Sequence, residues 1–480
     1  MSSTTSEVVP TVDASAAARA EQLKMEANAL YAHKHYHEAI EKYTQAIQAN
    51  PSVAAFYTNR AQCHLFTEAY GAAKEDAEKA ISLDAKFTKG YFRKAAACMA
   101  MGDLKEARAN FRQVAVMAPG DAVARRKYSE CDKLYRRILF ESAIDSEADR
   151  KRVAESIDLS KYPVAEDYDG PRMPVRKVMV GGEPQMVEVD EEYVDLEFVK
   201  GVAEWFREQK SLPLRYMYVI LVQAESLLRK LPTLVDVAVP SDAIMTVCGD
   251  VHGQYYDVIM LFFALKLLYP DAFFLNRGNH ESIGMNQLYG FEGEVRHKYP
   301  TQGKRLFDLF QETFEALPIA HLIQGKIFVV HGGLYSRETA KNSGLPDGDG
   351  VVRLDELREL PRFHQPQHTK LLNESLWSDP QDQEGRAPSP RGTAIQYGPD
   401  VTKEFCATNG LTMVIRSHQQ MDEGYEIAHD GQMVTVFSAP NYCDSGTNKG
   451  AYIRITPELE CTYHKFSAAM AYANARTLMY

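Results

Sequence analysis

A 34-residue period near the N-terminus constrains this chain more than any other feature. Ala27, Ala61 and Ala95 recur at that interval, and so do Ala39, Ala73 and Ala107. Tyr36, Tyr70 and Leu104 keep the same register, as do Ala46, Ala80 and Val114. Pro51 and Pro119 close the first and third units, with Ala85 at the matching point of the second. Small residues at fixed points let two antiparallel helices pack closely, and the larger residues fill the gap beside them. One such hairpin cannot bury its inner face alone, so three stacked units are expected between about residue 20 and Pro119. Helical patterning runs on from Asp121 to Ile144 through Val123, Tyr128, Leu134, Tyr135, Ile138 and Leu139, and would cover the last unit.

The repeats carry charge as well as packing. Lys24 and Asn28 lie four apart on one helix, hence on one face, and Lys89 and Arg93 do the same two units later. Asn59 occupies the corresponding helix between them. Stacking would bring these three cations and two amides into one groove, a setting for a carboxylate-rich ligand.

At 480 residues the chain is too long for one ordinary domain. Its net charge of −11 argues against nucleic acid as the main ligand, because a phosphate backbone needs a basic face. No apolar run is long enough for a membrane span, Met1 to Pro10 lacks the apolar core of a signal peptide, and Ser2 removes the myristoylation signal. The 7 cysteines are scattered without a C-x-x-C pair, which suits free thiols in a reducing cytoplasm or nucleus. Pro163, Gly170, Pro171, Pro174, Gly181, Gly182 and Pro184 break the helical pattern after residue 145. We read 145–195 as a connector draped over a domain surface, with Tyr162, Tyr168, Val175 and Val178 as its anchors. Helices resume near Leu196 and again over Tyr216–Leu231.

Four short segments then end in polar clusters. Ile244 to Cys248 stops at Gly249-Asp250-Val251-His252-Gly253, and Phe273 to Leu275 stops at Arg277-Gly278-Asn279-His280-Glu281. Ile327 to Val330 leads to His331-Gly332-Gly333, and Thr412 to Ile415 leads to Arg416-Ser417-His418. Read as strands, they deliver a His or Asp at four carboxyl ends, the place where open α/β sheets build their sites. A single His would be structural more often than not; four in one repeated context point to a metal centre.

The helical units resemble the tetratricopeptide (TPR) repeat. Lys24, Asn28, Asn59, Lys89 and Arg93 fall on that family's dicarboxylate clamp, which implies a heat-shock chaperone ending in Glu-Glu-Val-Asp as partner. The strand-end clusters resemble the metallophosphoesterases. Leu376-Trp377-Ser378-Asp379-Pro380, Arg391-Gly392 and Ser438-Ala439-Pro440-Asn441-Tyr442-Cys443 narrow the likeness to the phosphoprotein phosphatases. With the repeats in front, the chain from about residue 20 onward resembles the TPR-containing type 5 serine/threonine protein phosphatases. The resemblance implies an α-helical TPR domain followed by an α/β calcineurin-like domain with a mixed β-sandwich. It implies two divalent ions, Mn²⁺ or Fe/Zn, with Asp250 and His252 on the first and Asn279, His331 and His418 on the second. His280 would be the general acid, and Arg391 and Tyr442 would bind the phosphate of phosphoserine or phosphothreonine proteins. The domains would be a tail at 1–19, repeats and capping helix at 20–144, the connector, and a catalytic domain at 196–480. Its last helix, 470–480, would help the TPR domain to restrain activity.

One signature of the resembled family, Gly-Asp-x-Val-Asp-Arg-Gly, is absent. The residues between Gly253 and Arg277 read as a single helix, about Asp257 to Leu268, and a strand, where that family has a helix, a motif-bearing strand and a second helix. By resemblance, the lost motif supplies a carboxylate bridging both ions, a second that orients His280, and an Arg on the phosphate. Two readings are open: a manganese-type serine/threonine phosphatase restrained by its own TPR domain, or a scaffold whose clamp works while its phosphatase fold is inert; with the motif absent, little or no phosphatase activity is expected of this chain.

Overall fold

The computed structural model describes residues 14–142, 152–180, 187–252, 258–442 and 447–468. The helix expected over 470–480, the first 13 residues of the expected tail and the junction at Gly253–Asp257 lie outside the described residues. The chain divides into two compact units, with the main boundary at Asp145.

Seven helices build the first unit: α1 (Ala14–Ala32), α2 (Tyr36–Ala49), α3 (Ala54–Phe66), α4 (Tyr70–Leu83), α5 (Thr88–Ala100), α6 (Leu104–Met117) and α7 (Ala122–Ser142). The helical alanines of the 34-residue pattern, Ala27, Ala61, Ala95, Ala39, Ala73, Ala107, Ala46 and Ala80, are fully buried, which is what a close helix–helix approach requires, whereas Ala85, between helices, is exposed. Arg60 ties three helices together. Its Nε and Nη2 donate to the Asp76 carboxylate at 2.8 and 2.7 Å, and its Nη1 to Thr44 Oγ1 at 2.8 Å. Helix α1 starts at Ala14, so residues 14–19 are helical and not tail. Ala14, Ala16, Ala17 and Ala18 make that stretch a strong helix former in its own right.

The second unit begins with the connector, which is more ordered than the sequence suggests. The backbone N–H groups of Val153 and Ala154 donate to Glu312 at 2.6 and 3.0 Å, and the Tyr162 ring lies 4.9 Å from that of Tyr218. Tyr168 meets Trp205 edge-on at 5.6 Å. Val175, read as an anchor, is instead 58% exposed. It opens an antiparallel hairpin, β1 (Val175–Val180) with β2 (Val187–Glu192), which the charge-rich alternation of Val, Arg, Lys and Glu had concealed. A helical layer follows: α8 (Leu196–Arg207), α9 (Leu214–Arg229), α10 (Val258–Leu268), α11 (Ile283–Leu288), α12 (Phe291–Lys298) and α13 (Gly303–Glu315). Asp195 caps α8 by accepting from Phe198 N at 2.7 Å.

The remaining strands are β3 (Leu234–Val237), β4 (Met245–Cys248), β5 (Ala320–Ile323), β6 (Ile327–Val330), β7 (Asp379–Pro380), β8 (Arg386–Pro388), β9 (Ile395–Tyr397), β10 (Met413–Arg416), β11 (Tyr425–Ala428), β12 (Met433–Val436), β13 (Gly450–Ile455) and β14 (Cys461–Phe466). Six of them form one sheet in the order β11-β12-β10-β6-β5-β3, and three form a second in the order β14-β13-β4. The period of two sorts the side chains. Val235, Val237, Ile323, Ile327, Ile415, Val434 and Val436 pack with Ala451, Ile453 and Ile455 of the second sheet. Leu234, Leu322, Phe328, Val330, Val414 and Met433 face the other way, onto Val401, Phe405 and Cys406. The result is the expected mixed β-sandwich flanked by helices. Phe273–Leu275 does not join it. The segment has no regular structure and pairs with no strand among the described residues; Phe273 N donates to Tyr269 O, and beyond the segment Arg277 N donates to Pro318 O. An apolar run becomes a strand only where a neighbour completes its ladder.

Candidate active site

Strands β6, β10 and β12 run parallel, so their carboxyl ends open on one edge of the sheet. His331 follows β6 directly, and His418 lies two residues beyond β10. Asp250 follows β4 of the other sheet and reaches this edge through a bridge to Phe437, just past β12. The approach is tight: a Cβ on Gly249 would lie 1.9 Å from Val436 O, so only glycine lets the strand end here. His252 and His418 both have left-handed backbone, with φ of 46° and 68°. Strained conformations of non-glycine residues concentrate at functional sites, where the surroundings must enforce them.

His331 is the hub. Its Nε2 lies 2.8 Å from Asn279 Oδ1 and 3.2 Å from His418 Nδ1, while its Nδ1 lies 3.2 Å from Asp250 Oδ1. His252 Nε2 is 3.5 Å from Asp250 Oδ2. The five candidate ligands therefore form one connected cluster. Burial alone would raise the Asp250 carboxyl, but His331 and His252 beside it hold it well below the usual carboxylate range. Asn279 is fully buried, and its Nδ2 has no hydrogen-bond partner. His280 is partly exposed beside the cluster, its ring 5.2 Å from His252 and 5.3 Å from Tyr289. Tyr442 closes on His252 at 4.6 Å. Arg391 belongs to the Ser389–Thr393 segment, which groups with the first unit, and its Nη1 donates to Glu68 Oε2 at 2.7 Å.

The donors fit one divalent ion: amide oxygen and imidazole nitrogens at mutual distances near 3 Å are the chemistry of a mixed N/O site. They do not fit a pair. Among the described residues Asp250 is the only carboxylate among the candidate ligands of the cluster. Among the described residues no set of three His, Cys, Asp or Glu side chains is arranged to hold a metal; the three-donor set here includes an amide.

Several supporting residues carried no assigned role in the sequence. Ser417 Oγ accepts from Asp250 N at 2.8 Å, and Ser438 Oγ accepts from Gly249 N at 2.9 Å. Arg416, 1% exposed, donates to Gly332 O, Gln419 Oε1, Ser378 O and Asp379 Oδ1, which locks the loops bearing His331 and His418 to each other. Trp377 then stands edge-on to His418 at 5.5 Å. The signal was present in the Arg-Ser-His and Trp-Ser-Asp-Pro blocks; their mutual contact was not.

In the first unit Asn28 Oδ1 accepts from Tyr43 OH at 2.6 Å and from Asn59 Nδ2 at 3.4 Å, so the two clamp amides meet. Lys24 pairs with Glu21. Arg93 is half-buried, and burial pushes its guanidinium below the usual value, with the Tyr31 phenol opposing. Neither Lys89 nor Arg93 has an ion-pair partner among the described residues.

Comparison with known proteins agrees with this geometry. Residues 223–422 match the calcineurin-like phosphoesterase family, 54–87 and 88–121 the tetratricopeptide repeat, and 128–236 the PPP5 TPR repeat region. Serine/threonine-protein phosphatase 5 of Homo sapiens is 41% identical over 496 aligned residues, covering 95% of this chain and 93% of its own length. Serine/threonine-protein phosphatase T of Trypanosoma brucei brucei is 40% identical, covering 91% and 92%. A solved protein serine/threonine phosphatase from Saccharomyces cerevisiae, with similarity to human phosphatase PP5, superposes with a TM-score of 0.52 at 35% identity, over 57% of this chain and 96% of that one. Since 95% of 480 residues is about 456, about 40 of the 496 positions aligned with the human protein face no residue here. That is room enough for the strand and helix missing after Gly253.

Proposed function

The chain belongs to the TPR-containing serine/threonine protein phosphatases of the calcineurin-like phosphoesterase class, and on that premise we propose that it hydrolyses phosphoserine and phosphothreonine in proteins, at a divalent-metal centre, under the control of a TPR domain that binds chaperone tails. The observation that carries the reading is the His331 hub, which joins Asn279, His418 and Asp250 at the sheet edge with His280 and Tyr442 around them. Asn279, His331 and His418 would hold a divalent ion, which when bound would supply Lewis-acid polarisation of the phosphoryl oxygens. His280, partly exposed beside His252, is placed to give a proton to the leaving serine or threonine oxygen. Tyr442, whose ring lies 4.6 Å from that of His252, is placed to position the phosphate; for Arg391, bonded to Glu68, a phosphate contact is implied by the family resemblance alone.

For the TPR domain, Lys89 and Arg93, which have no ion-pair partner among the described residues, and the Asn28–Asn59 contact support capture of an acidic carboxyl-terminal tail ending in Glu-Glu-Val-Asp. Restraint of the catalytic unit by the TPR domain rests on the family resemblance. The compartment we assign is the cytoplasm and nucleus.

Turnover of a phosphoserine peptide at saturating Mn²⁺ tests the catalytic reading. We expect slow hydrolysis that His280→Asn abolishes. Inserting a Gly-Asp-x-Val-Asp-Arg-Gly strand and its helix after Asp257 should raise kcat roughly 10²–10³-fold, the scale of restoring one preorganised group. No hydrolysis by either protein would overturn it.

A further inference from the structure

The five donors divide into two sets by spacing. At metal–donor bonds of about 2.0–2.2 Å, neighbouring ligands of one ion stand roughly 3 Å apart. Asn279 Oδ1 and His418 Nδ1 meet that condition around a single atom, His331 Nε2, at 2.8 and 3.2 Å. Asp250 does not share that atom. Its Oδ1 lies 3.2 Å from Nδ1, the opposite nitrogen of the same ring. Among the described residues His252 reaches the other candidate ligands through Asp250 Oδ2 alone, at 3.5 Å, and otherwise meets the rings of His280, Phe437 and Tyr442.

From this division we propose that the chain binds one divalent ion, not two, on Asn279, His331 and His418, and that Asp250 is the carboxylate partner that orients His331. The proposal rests on the reading of this cluster as the metal centre of a phosphatase. Two physical arguments carry it. A ligating His commonly donates its other ring N–H to a carboxylate, which fixes the tautomer and turns the bare nitrogen toward the ion; the Asp250–His331 contact has that form. A second ion at Asp250 and His252 would have two protein donors, and no further carboxylate among the described residues of the cluster to screen it from the first. Two dications held a few ångströms apart repel strongly in a protein interior unless anions lie between them. The sequence segment that supplies such an anion in the resembled family is absent from this chain.

The test is a metal count on the full-length protein with Mn²⁺ as the probe. Equilibrium dialysis should give one ion per chain, and the bound ion should show the six-line electron paramagnetic resonance spectrum of isolated Mn²⁺, without exchange coupling. His252→Ala should keep one ion with little change in affinity, whereas a two-ion centre would lose one. His418→Ala should abolish binding. Asp250→Asn should weaken it about 10–100-fold, the usual effect of removing a ligand's orienting partner. Two ions per chain, an exchange-coupled spectrum, no bound ion, or loss of binding in His252→Ala would each overturn the proposal. The count and spectrum of the unmodified protein decide the matter even if a variant misfolds. Because neither needs turnover, a protein that binds one ion yet leaves phosphopeptides intact would sink the catalytic reading and leave this one standing.

Discussion

Cutting back Asp379 tests how the His418 loop is held. Arg416 makes four short contacts, at 2.6 Å to Gly332 O, 2.7 Å to Gln419 Oε1, 3.2 Å to Ser378 O and 2.8 Å to Asp379 Oδ1. Only the last brings a countercharge, and both side chains are almost wholly buried. Asp379→Ala therefore strands a guanidinium in the interior, which costs about 3–5 kcal/mol. Asp379→Asn keeps an acceptor and loses only the charge assistance, about 1–2 kcal/mol. The chain has 2 tryptophans, Trp205 and Trp377, and both lie in the second unit, so their fluorescence during urea unfolding reports that unit alone. With an m-value of roughly 3 kcal/mol/M, the midpoint should fall by about 1–1.7 M in the Ala variant and about 0.5 M in the Asn variant. Asp379→Leu combined with Arg416→Met should recover most of the loss, because no charge is left unpaired. If the Ala midpoint stays within roughly 0.3 M of the unmodified protein, or the double variant is the least stable, the buried pair does not hold this loop as argued.

Three further outcomes are expected. Lys89→Ala or Arg93→Ala should weaken binding of a Glu-Glu-Val-Asp peptide by about 1.5–3 kcal/mol, the loss of one charge-assisted bond, as read by calorimetry on the full chain; unchanged affinity removes the clamp. His321 is buried beside Lys266, and burial first and Lys266 second push its imidazole down to about 3. The unfolded chain therefore takes up a proton below about pH 6.5 that the folded chain refuses until near pH 3, and stability should fall with pH across that window by up to about 1.4 kcal/mol per unit. His321→Asn should flatten that slope in urea melts at pH 4–6, and an equal slope would assign the acid sensitivity elsewhere. Deleting residues 1–144 should raise basal phosphopeptide turnover; equal rates would argue against restraint by the TPR domain.

The sequence displayed the parts of this molecule that depend on local order. The alanine register is visible because helix contact at a fixed interval demands a small residue there. The donors are visible because Ile244–Cys248, Ile327–Val330 and Thr412–Ile415 are apolar runs that stop abruptly at His or Asp. What escaped depends on partners distant in the chain. Arg416 and Asp379 are separated by the whole segment between two motifs, and nothing local in either announces that they meet. Phe273–Leu275 has a strand's composition, yet whether it forms a ladder is decided by a neighbour, and none is present among the described residues. The β1–β2 hairpin was hidden for the opposite reason: its strands are charged and largely exposed, so no apolar face marked them, and Gly181, Gly182 and Pro184 between them read only as a break in a connector.

Strand β4 leads into Asp250, and among the described residues it is laddered only to β13, with Met245 opposite Ile455. That pairing has a consequence for synthesis on the ribosome. At about 5–20 residues per second, the roughly 200 residues between them take about 10–40 s to appear. Throughout that interval β4 has no partner, while Ile244, 56% exposed even in the finished fold, and the alternating Met245 and Val247 stay open to other chains. The His331 and His418 ends of the site are already translated before β13 emerges; Asp250, made earliest, is set in place last. Nascent chains stalled between residues 420 and 450 should therefore be the ones that depend most on chaperones and aggregate most readily without them.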